Sequence, residues 1–186
     1  MSATMRMQAG TQDTTCTPAD GTTCAGLLAA ALCVVAVLLA HPPSADHAAN
    51  TKPFTTFEDF YPMYLGQHAE PRTKLLHAVG TGIACAQMAL EPRMLVAAVW
   101  SSAASLCMFR LCIGMEHGFA ELAVGMATNV LITRALTGST RPAVVVLCSG
   151  YSFAWASHRF VEMNRPATFT YPIYSRTPVF CLPIYL

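Results

Sequence analysis

The chain has 186 residues, of which 54% are apolar and only 11% are charged, whereas a soluble domain carries about 25% charged residues. This balance favours a membrane protein with a single domain. The net charge of +1 provides no electrostatic basis for binding nucleic acid, so that class of function is excluded.

The N-terminal quarter of the chain divides into a tail, an apolar segment and a linker. Residues 1–23 are polar and show no hydrophobic period, so we expect a tail without a core of its own. Residues 24–40 carry no charge and predict an added transmembrane helix of minimal length. A cleaved signal peptide is the alternative, although the long, nearly uncharged tail before this segment fits it poorly. Residues 41–53 are rich in proline and polar residues and predict a linker.

An aromatic segment follows the linker and predicts an amphipathic helix at the membrane interface. Thr55 or Thr56 would cap this helix, and Pro62 would kink it or begin its next turn. Pro71 suits the first turn of another helix, so we expect a break before it. The positions that form the apolar stripe of the interfacial helix are Phe54, Phe57, Phe60, Tyr61 and Leu65.

Four further apolar segments predict membrane spans over about residues 74–90, 94–112, 117–136 and 143–161. Together with the helix at 24–40 they predict an all-α transmembrane bundle of four to five spans. The count depends on 117–136, which is the most polar of these segments. The eight cysteines include no CxxC pair, and we expect them to be reduced and buried.

The order of these spans predicts that distant histidines meet at one face of the membrane. His68 and His77 lie where the second span begins, and His158 lies where the fifth ends. Because four crossings separate these two ends, the three side chains fall on the same side, where His117 joins them. Basic residues number seven on this side and four on the other, which favours it as the cytosolic or mitochondrial matrix side. The seven are Lys52, Arg72, Lys74, Arg110, Arg159, Arg165 and Arg176, and the four are Arg6, Arg93, Arg134 and Arg141.

The last predicted span carries a stripe of polar and aromatic side chains. Tyr151, Trp155, His158 and Glu162 are spaced four, three and four residues apart, which places them on one face of a helix. Such a stripe indicates either a site inside the bundle or an aromatic belt whose polar end lies in headgroup water. Since the break at Pro71 lets His68 and His77 converge, the imidazoles could form a site for iron or zinc.

Two segments carry a resemblance to a known family. FEDFYPMYLGQHAEPRTKLLHAVGTG, residues 57–82, and GYSFAWASHRFVEMNRPATFTYPIYS, residues 150–175, resemble small multi-spanning membrane proteins of the fungal 2-hydroxy fatty acid dioxygenase type, which act in phytosphingosine breakdown. The resemblance implies a helical protein of the endoplasmic reticulum membrane. It also implies Fe(II) held by histidines and the oxidative removal of one carbon from a 2-hydroxy fatty acid.

The resemblance assigns expected roles to residues of both segments. Glu162 would be a ligand or would orient His158, and Asn164 and Arg165 follow as catalytic residues at the end of the helix. Arg165 could pair with Glu162 or with the carboxylate of the substrate, because a planar guanidinium suits both. The expected metal ligands are His68, His77 and His158.

The chain departs from the family pattern at several positions. Ala69 stands where some members have a second histidine, Glu70 where asparagine is common, and Met163 where lysine is usual. We therefore expect a dioxygenase-like domain over residues 54–175, with an atypical tail at 176–186 in place of further helix. These changes thin the polar shell around the expected metal.

Two other kinds of function stay open from the sequence. The chain could be a non-catalytic accessory subunit of a large complex of the mitochondrial inner membrane, such as a respiratory-chain or ATP-synthase assembly, without iron. In that case other membrane subunits would cover the polar tail at residues 1–23, because free polar termini are ordered only when something holds them. A lipid-binding or scaffolding protein without chemistry is the third possibility.

Overall fold

A computed structural model describes residues 21–40 and 52–176, and within these ranges the chain forms helices and no strand. The predicted tail up to residue 20, most of the linker and the segment after residue 176 lie outside the described residues. A short 3₁₀ turn covers Ala167–Phe169. The α-helices are α1 Gly21–Ala40, α2 Phe57–Gly66, α3 Pro71–Leu90, α4 Met94–Leu111, α5 Phe119–Thr137, α6 Arg141–Phe160 and α7 Pro172–Arg176.

The five long helices fall on the five predicted spans with shifts of a few residues at their ends. Proline stands in the first turn of both α3 and α6, where its missing N–H removes no helical hydrogen bond. Two of these helices, Met94–Leu111 and Phe119–Thr137, are long and apolar enough to cross a membrane. The all-helical class is therefore confirmed, whereas a bundle of four to five spans remains a prediction.

The long helices pack as pairs, α3 against α6 and α4 against α5, with α1 along the outer side of α4. Glycine allows the close approach within each pair. A Cβ atom on Gly80 would lie 3.0 Å from the carbonyl oxygen of Ser149 on α6. A Cβ atom on Gly125 would lie 2.1 Å from the Ser105 hydroxyl on α4. The two pairs touch each other less closely, and a cavity lies between them.

Helix α2 turns its aromatic stripe into the protein. Phe60 and Tyr64 are buried and pack with Phe109 of α4 and Tyr171, which precedes α7. Thr56 is the cap, as expected, with its hydroxyl accepting a hydrogen bond from the Asp59 N–H at 3.2 Å. Part of the predicted stripe therefore anchors α2 to the C-terminal part of the fold, and contact of this helix with the membrane interface stays a prediction.

A buried ion pair ties the start of the domain to α5. The Lys52 ammonium contacts the Glu121 carboxylate, and both side chains are fully buried. The ammonium also lies 4.9 Å from the centre of the Phe109 ring, a position that favours a cation.

The prediction of buried cysteines was wrong for most of those that the structure describes. Cys33, Cys85, Cys107 and Cys148 are exposed and unpaired. The helices that carry them were located correctly, but small apolar side chains are as compatible with the outer face of a helix as with its packed face.

Candidate metal centre

Three histidines reach one point from three different elements. Helix α2 ends at Gly66, and His68 lies in the turn that follows, with its backbone N–H donating to the Leu65 carbonyl. Pro71 then starts α3, which carries His77 on its second turn. His158 comes from the last turn of α6. Because α3 and α6 run antiparallel, the beginning of one lies beside the end of the other.

The three imidazoles form a compact, buried cluster. The centre of the His68 ring lies 4.7 Å from the centres of both His77 and His158, and the latter two are 5.5 Å apart. Their exposed fractions are 2%, 6% and 3%, respectively. One nitrogen from each ring can be chosen such that all three lie within 4.8 Å of one another.

Neighbouring acceptors set the tautomers of two of the rings. The Nδ1 atom of His68 lies 2.7 Å from the Tyr64 carbonyl oxygen, and the Nδ1 atom of His158 lies 2.7 Å from Oδ1 of Asn164. An oxygen of this kind accepts, so each Nδ1 carries the proton and donates it. The free lone pair of each of these rings is therefore on Nε2. Hydrogen-bond acceptors fix the tautomer of metal-binding histidines in the same way.

His68 is held in its neutral form by burial. Burial lowers the pKa of His68 to about 4, although the hydrogen bond to the Tyr64 carbonyl acts in the opposite direction. This ring is therefore neutral at pH 7, which is the protonation state that a metal ligand requires.

The residues present fit a bound metal ion. The Nε2 atoms of His68 and His77 are buried and have no hydrogen-bond partner, and such orphaned atoms are rare in folded proteins. Imidazole nitrogens bind zinc at about 2.0–2.1 Å in tetrahedral geometry, so two of them on one ion lie about 3.4 Å apart. The nitrogens lie within 4.8 Å of one another, so the longest separation has to shorten by about 1.4 Å to reach this geometry. Three neutral imidazoles also leave coordination positions open for a substrate.

Asn164 is placed by a turn that the sequence did not reveal. Met163 adopts a left-handed backbone conformation, with φ of 55°, and this residue reverses the chain after α6. The Asn164 N–H then donates to the His158 carbonyl at 3.1 Å. The Asn164 side chain also donates to the Gln67 carbonyl at 3.2 Å, so it links the turn holding His68 to the end of α6.

Glu162 and Arg165 lie near the cluster but contact other groups. The Glu162 carboxylate accepts a hydrogen bond from the Glu70 backbone N–H at 2.9 Å, where α3 begins. Arg165 is exposed, and its guanidinium lies 5.8 Å from the centre of the Phe169 ring. Over the described ranges the structure records no ion pair between the two. The expected ligand role of Glu162 and the expected substrate contact of Arg165 stay predictions.

The histidine cluster opens into a cavity of about 140 Å³ between the two helix pairs. His77 and Met88 both line it, and the part of α3 between them rises by about 16 Å. The walls also include Asn129 and Arg176. His117, expected on the same membrane face as the other histidines, lies outside their cluster and packs against Phe119 at 5.1 Å between ring centres.

Sequence reasoning missed three residues of this region: Tyr64, Asn129 and Arg176. Tyr64 could have been found, because it precedes His68 by four residues, which places its carbonyl within reach of that side chain. Asn129 is one polar residue in an apolar segment, and Arg176 begins a stretch without any pattern.

Comparison with known proteins gives one match. The model of the family described as 2-hydroxy-palmitic acid dioxygenase Mpo1-like matches residues 54–182, which is more than half of the chain. No curated protein and no solved structure matches the sequence.

Proposed function

The chain belongs to the Mpo1-like family, and from this premise we propose that it is a membrane-bound, Fe(II)-dependent dioxygenase that shortens 2-hydroxy fatty acids by one carbon. The observation that carries the proposal is the gathering of His68, His77 and His158 into one buried cluster, in which the Nε2 atoms of His68 and His77 have no hydrogen-bond partner. The family match by itself leaves open whether this chain kept a site. A buried group of three imidazoles that could hold a metal ion supports one.

The residues of the cluster would hold and orient the iron. The Tyr64 carbonyl fixes the ring of His68, and the Asn164 amide fixes the ring of His158, so two of the Nε2 lone pairs are aimed before an ion arrives. Ferrous iron, when bound, supplies the one-electron chemistry that reactions of dioxygen require. Glu162 would hold the turn before α3 in place through the Glu70 N–H.

The cavity would bind the acyl chain. It leads away from the histidines between the two helix pairs, and apolar side chains such as Met88, Met94, Val146 and Leu147 line it. Apolar walls with a few polar groups at one end are typical of sites for amphipathic ligands. These walls would also exclude water from the neighbourhood of the histidines.

We place the protein in an intracellular membrane as a bundle of four to five spans. The support is α4 and α5, each able to cross a membrane, together with the apolar sequences of α1, α3 and α6. The histidines would then lie towards the cytosolic face, with the endoplasmic reticulum as the membrane that the resemblance implies and the mitochondrial inner membrane as the alternative.

The test of the proposed function is product analysis with defined substrates. Protein purified without oxygen and loaded with Fe(II) should convert 2-hydroxypalmitic acid and oxygen into a fatty acid with one carbon fewer. Palmitic acid, which lacks the 2-hydroxyl, serves as the control and should remain unchanged. Wild-type protein that holds iron and still gives no shortened acid would contradict the proposal.

The same preparation separates the enzyme from an accessory subunit. An accessory subunit predicts protein without iron that copurifies with a larger membrane complex in fixed ratio. An enzyme predicts iron in the isolated chain, and this iron should be lost with the histidines.

A further inference from the structure

Arg176 places a cation in the wall of a cavity that is otherwise mainly apolar. It is the last residue of α7, and it lines the same cavity as the three histidines. The side chain is half-buried. A guanidinium in such surroundings needs an anion or several acceptors, because removing a charge from water without a partner is costly.

Residues 21–40 and 52–176 do not supply an anion for Arg176. The ion pairs recorded there join Lys52 to Glu121 and Arg93 to Glu91. Arg176 Nη2 donates to the Ser101 hydroxyl at 3.5 Å, which is at the upper limit for a hydrogen bond. Within these ranges no partner is recorded for the other donors of this guanidinium, and its planar fork matches the two oxygens of a carboxylate.

A second polar group in the same wall also lacks a partner. Asn129 is 4% exposed, and its Oδ1 atom has no hydrogen-bond partner. Asn129 and Arg176 line the main cavity together, and both also line a neighbouring space of about 10 Å³. An acceptor left unsatisfied in this position is suited to a hydroxyl group that donates to it.

We propose that Arg176 and Asn129 form a head-group site for a 2-hydroxy carboxylic acid inside the acyl cavity. Arg176 binds the carboxylate, and Asn129 Oδ1 accepts the hydrogen bond of the adjacent hydroxyl. The 2-hydroxy acid comes from the proposed function, on which this inference rests, but the site itself needs no metal. It selects the free acid over an ester or thioester, since only the free acid brings a negative charge to Arg176.

Binding to metal-free protein tests this site separately from catalysis. Iron is removed with a chelator, and the affinities of 2-hydroxypalmitate, its methyl ester and palmitate are measured in micelles, with empty micelles as the blank. A hydrogen bond to a charged group contributes about 1.5–3 kcal/mol, so wild-type protein should bind the acid about 10-fold or more tightly than the ester. Equal affinity for acid and ester in the wild-type protein would overturn the proposal.

Two variants assign the selectivity to its residues. Arg176→Gln should remove the preference for acid over ester while leaving the affinity for the ester unchanged. Asn129→Leu should remove the preference for 2-hydroxypalmitate over palmitate. Arg159→Gln is the matched control, because Arg159 is exposed and lies over the Phe160 ring outside the cavity; it should keep both preferences.

The outcomes distinguish this site from the proposed function. If Arg176→Gln retains the acid preference, Arg176 is not the carboxylate partner and the inference fails. If Arg176→Gln does not fold, Arg176→Lys replaces it and should weaken the preference without abolishing it, and an undiminished preference would count against the inference. If the acid preference depends on Arg176 while iron-loaded wild-type protein gives no shortened acid, the binding site stands and the proposed function falls.

Discussion

Asn164 is the residue on which the orientation of His158 depends. Its Oδ1 accepts from the ring, and its amide donates to the Gln67 carbonyl, so one side chain aligns two ligand-bearing segments. Asparagine is well suited to both roles, because it offers an acceptor and two donors on one rigid plane.

Replacing Asn164 should therefore weaken metal binding without removing a ligand. We expect Asn164→Ala to lower iron affinity by about 10- to 100-fold, as is typical when a residue that hydrogen-bonds a metal ligand is lost. A competition titration against a chelator of known affinity measures this change. Asn164→Asp retains the acceptor and should restore most of the affinity. An alanine variant with wild-type affinity would show that the Asn164 contact does not position the ring.

Glu162 provides a contrasting test, because its recorded hydrogen bond goes to the backbone and not to a histidine ring. Its carboxylate accepts a hydrogen bond from the Glu70 backbone N–H, and a glutamine can accept that bond equally well. We expect Glu162→Gln to retain the full iron content, measured by elemental analysis of the purified variant. If the iron is lost, Glu162 is a ligand, and the turn seen here rearranges when the metal binds.

The close contact between helices α3 and α6 fixes the distance between His77 and His158. Gly80 faces α6 at a separation that leaves no room for a larger side chain, whereas a Cβ atom on Gly82 would meet nothing within 4 Å. The two glycines lie on the same helix, two residues apart, and form a natural pair for comparison.

Gly80→Val should push α6 away from α3 and spread the histidines. Overpacking of this kind costs about 1–3 kcal/mol, so we expect a lower unfolding temperature together with a lower iron content. Gly82→Val adds the same side chain to an open surface and should change neither property substantially. Equal effects of the two substitutions would contradict the packing described here.

The buried ion pair between Lys52 and Glu121 attaches the segment just before α2 to α5, and this attachment can be tested by substitution. Glu121→Leu leaves the Lys52 ammonium buried without its partner, and we expect a loss of about 3–5 kcal/mol in the free energy of unfolding. The double substitution Lys52→Met with Glu121→Leu removes both charges and should recover most of this loss. Denaturant titration in detergent measures both, and a double variant as unstable as the single one would contradict an energetically coupled pair.

Sequence patterns located the long helices better than they located helix contacts. Apolar runs bounded by proline and glycine placed α3 to α6 within a few residues, because these signals act locally. Phe60 in the predicted stripe of α2 packs on Tyr171, more than a hundred residues later in the chain, and the pattern gave no indication of this contact. A stripe shows that one face is apolar and does not show what covers it.

The site was predictable to a similar degree. The crossing order predicted that the histidines meet, because parity depends only on the number of helices between them. The role of Asn164 depends on the left-handed conformation of Met163, which methionine does not signal. Arg176 could not be connected to the cavity, since that connection requires knowing how α7 packs.

Across the whole molecule, the two helix pairs, α3 with α6 and α4 with α5, together form the walls of one cavity. The cavity begins at the histidines, and its walls continue along α3 to Met88, near the end of that helix. A lipid-like substrate that enters this space from a membrane would bring its polar head among Arg176, Asn129 and the histidines, which all line the cavity. The family match covers α2 to α7, so this arrangement belongs to the matched part, and α1 lies outside it.

The most direct test of the account is the metal content of the protein purified without oxygen. The account predicts about one iron per chain in the wild-type protein, because the three imidazoles form one site. It also predicts near-complete loss of iron in His77→Ala and His158→Ala, with iron retained in His117→Ala, whose ring lies outside the cluster. A wild-type protein that binds no iron when Fe(II) is supplied, or histidine variants that bind as much as the wild type, would contradict it.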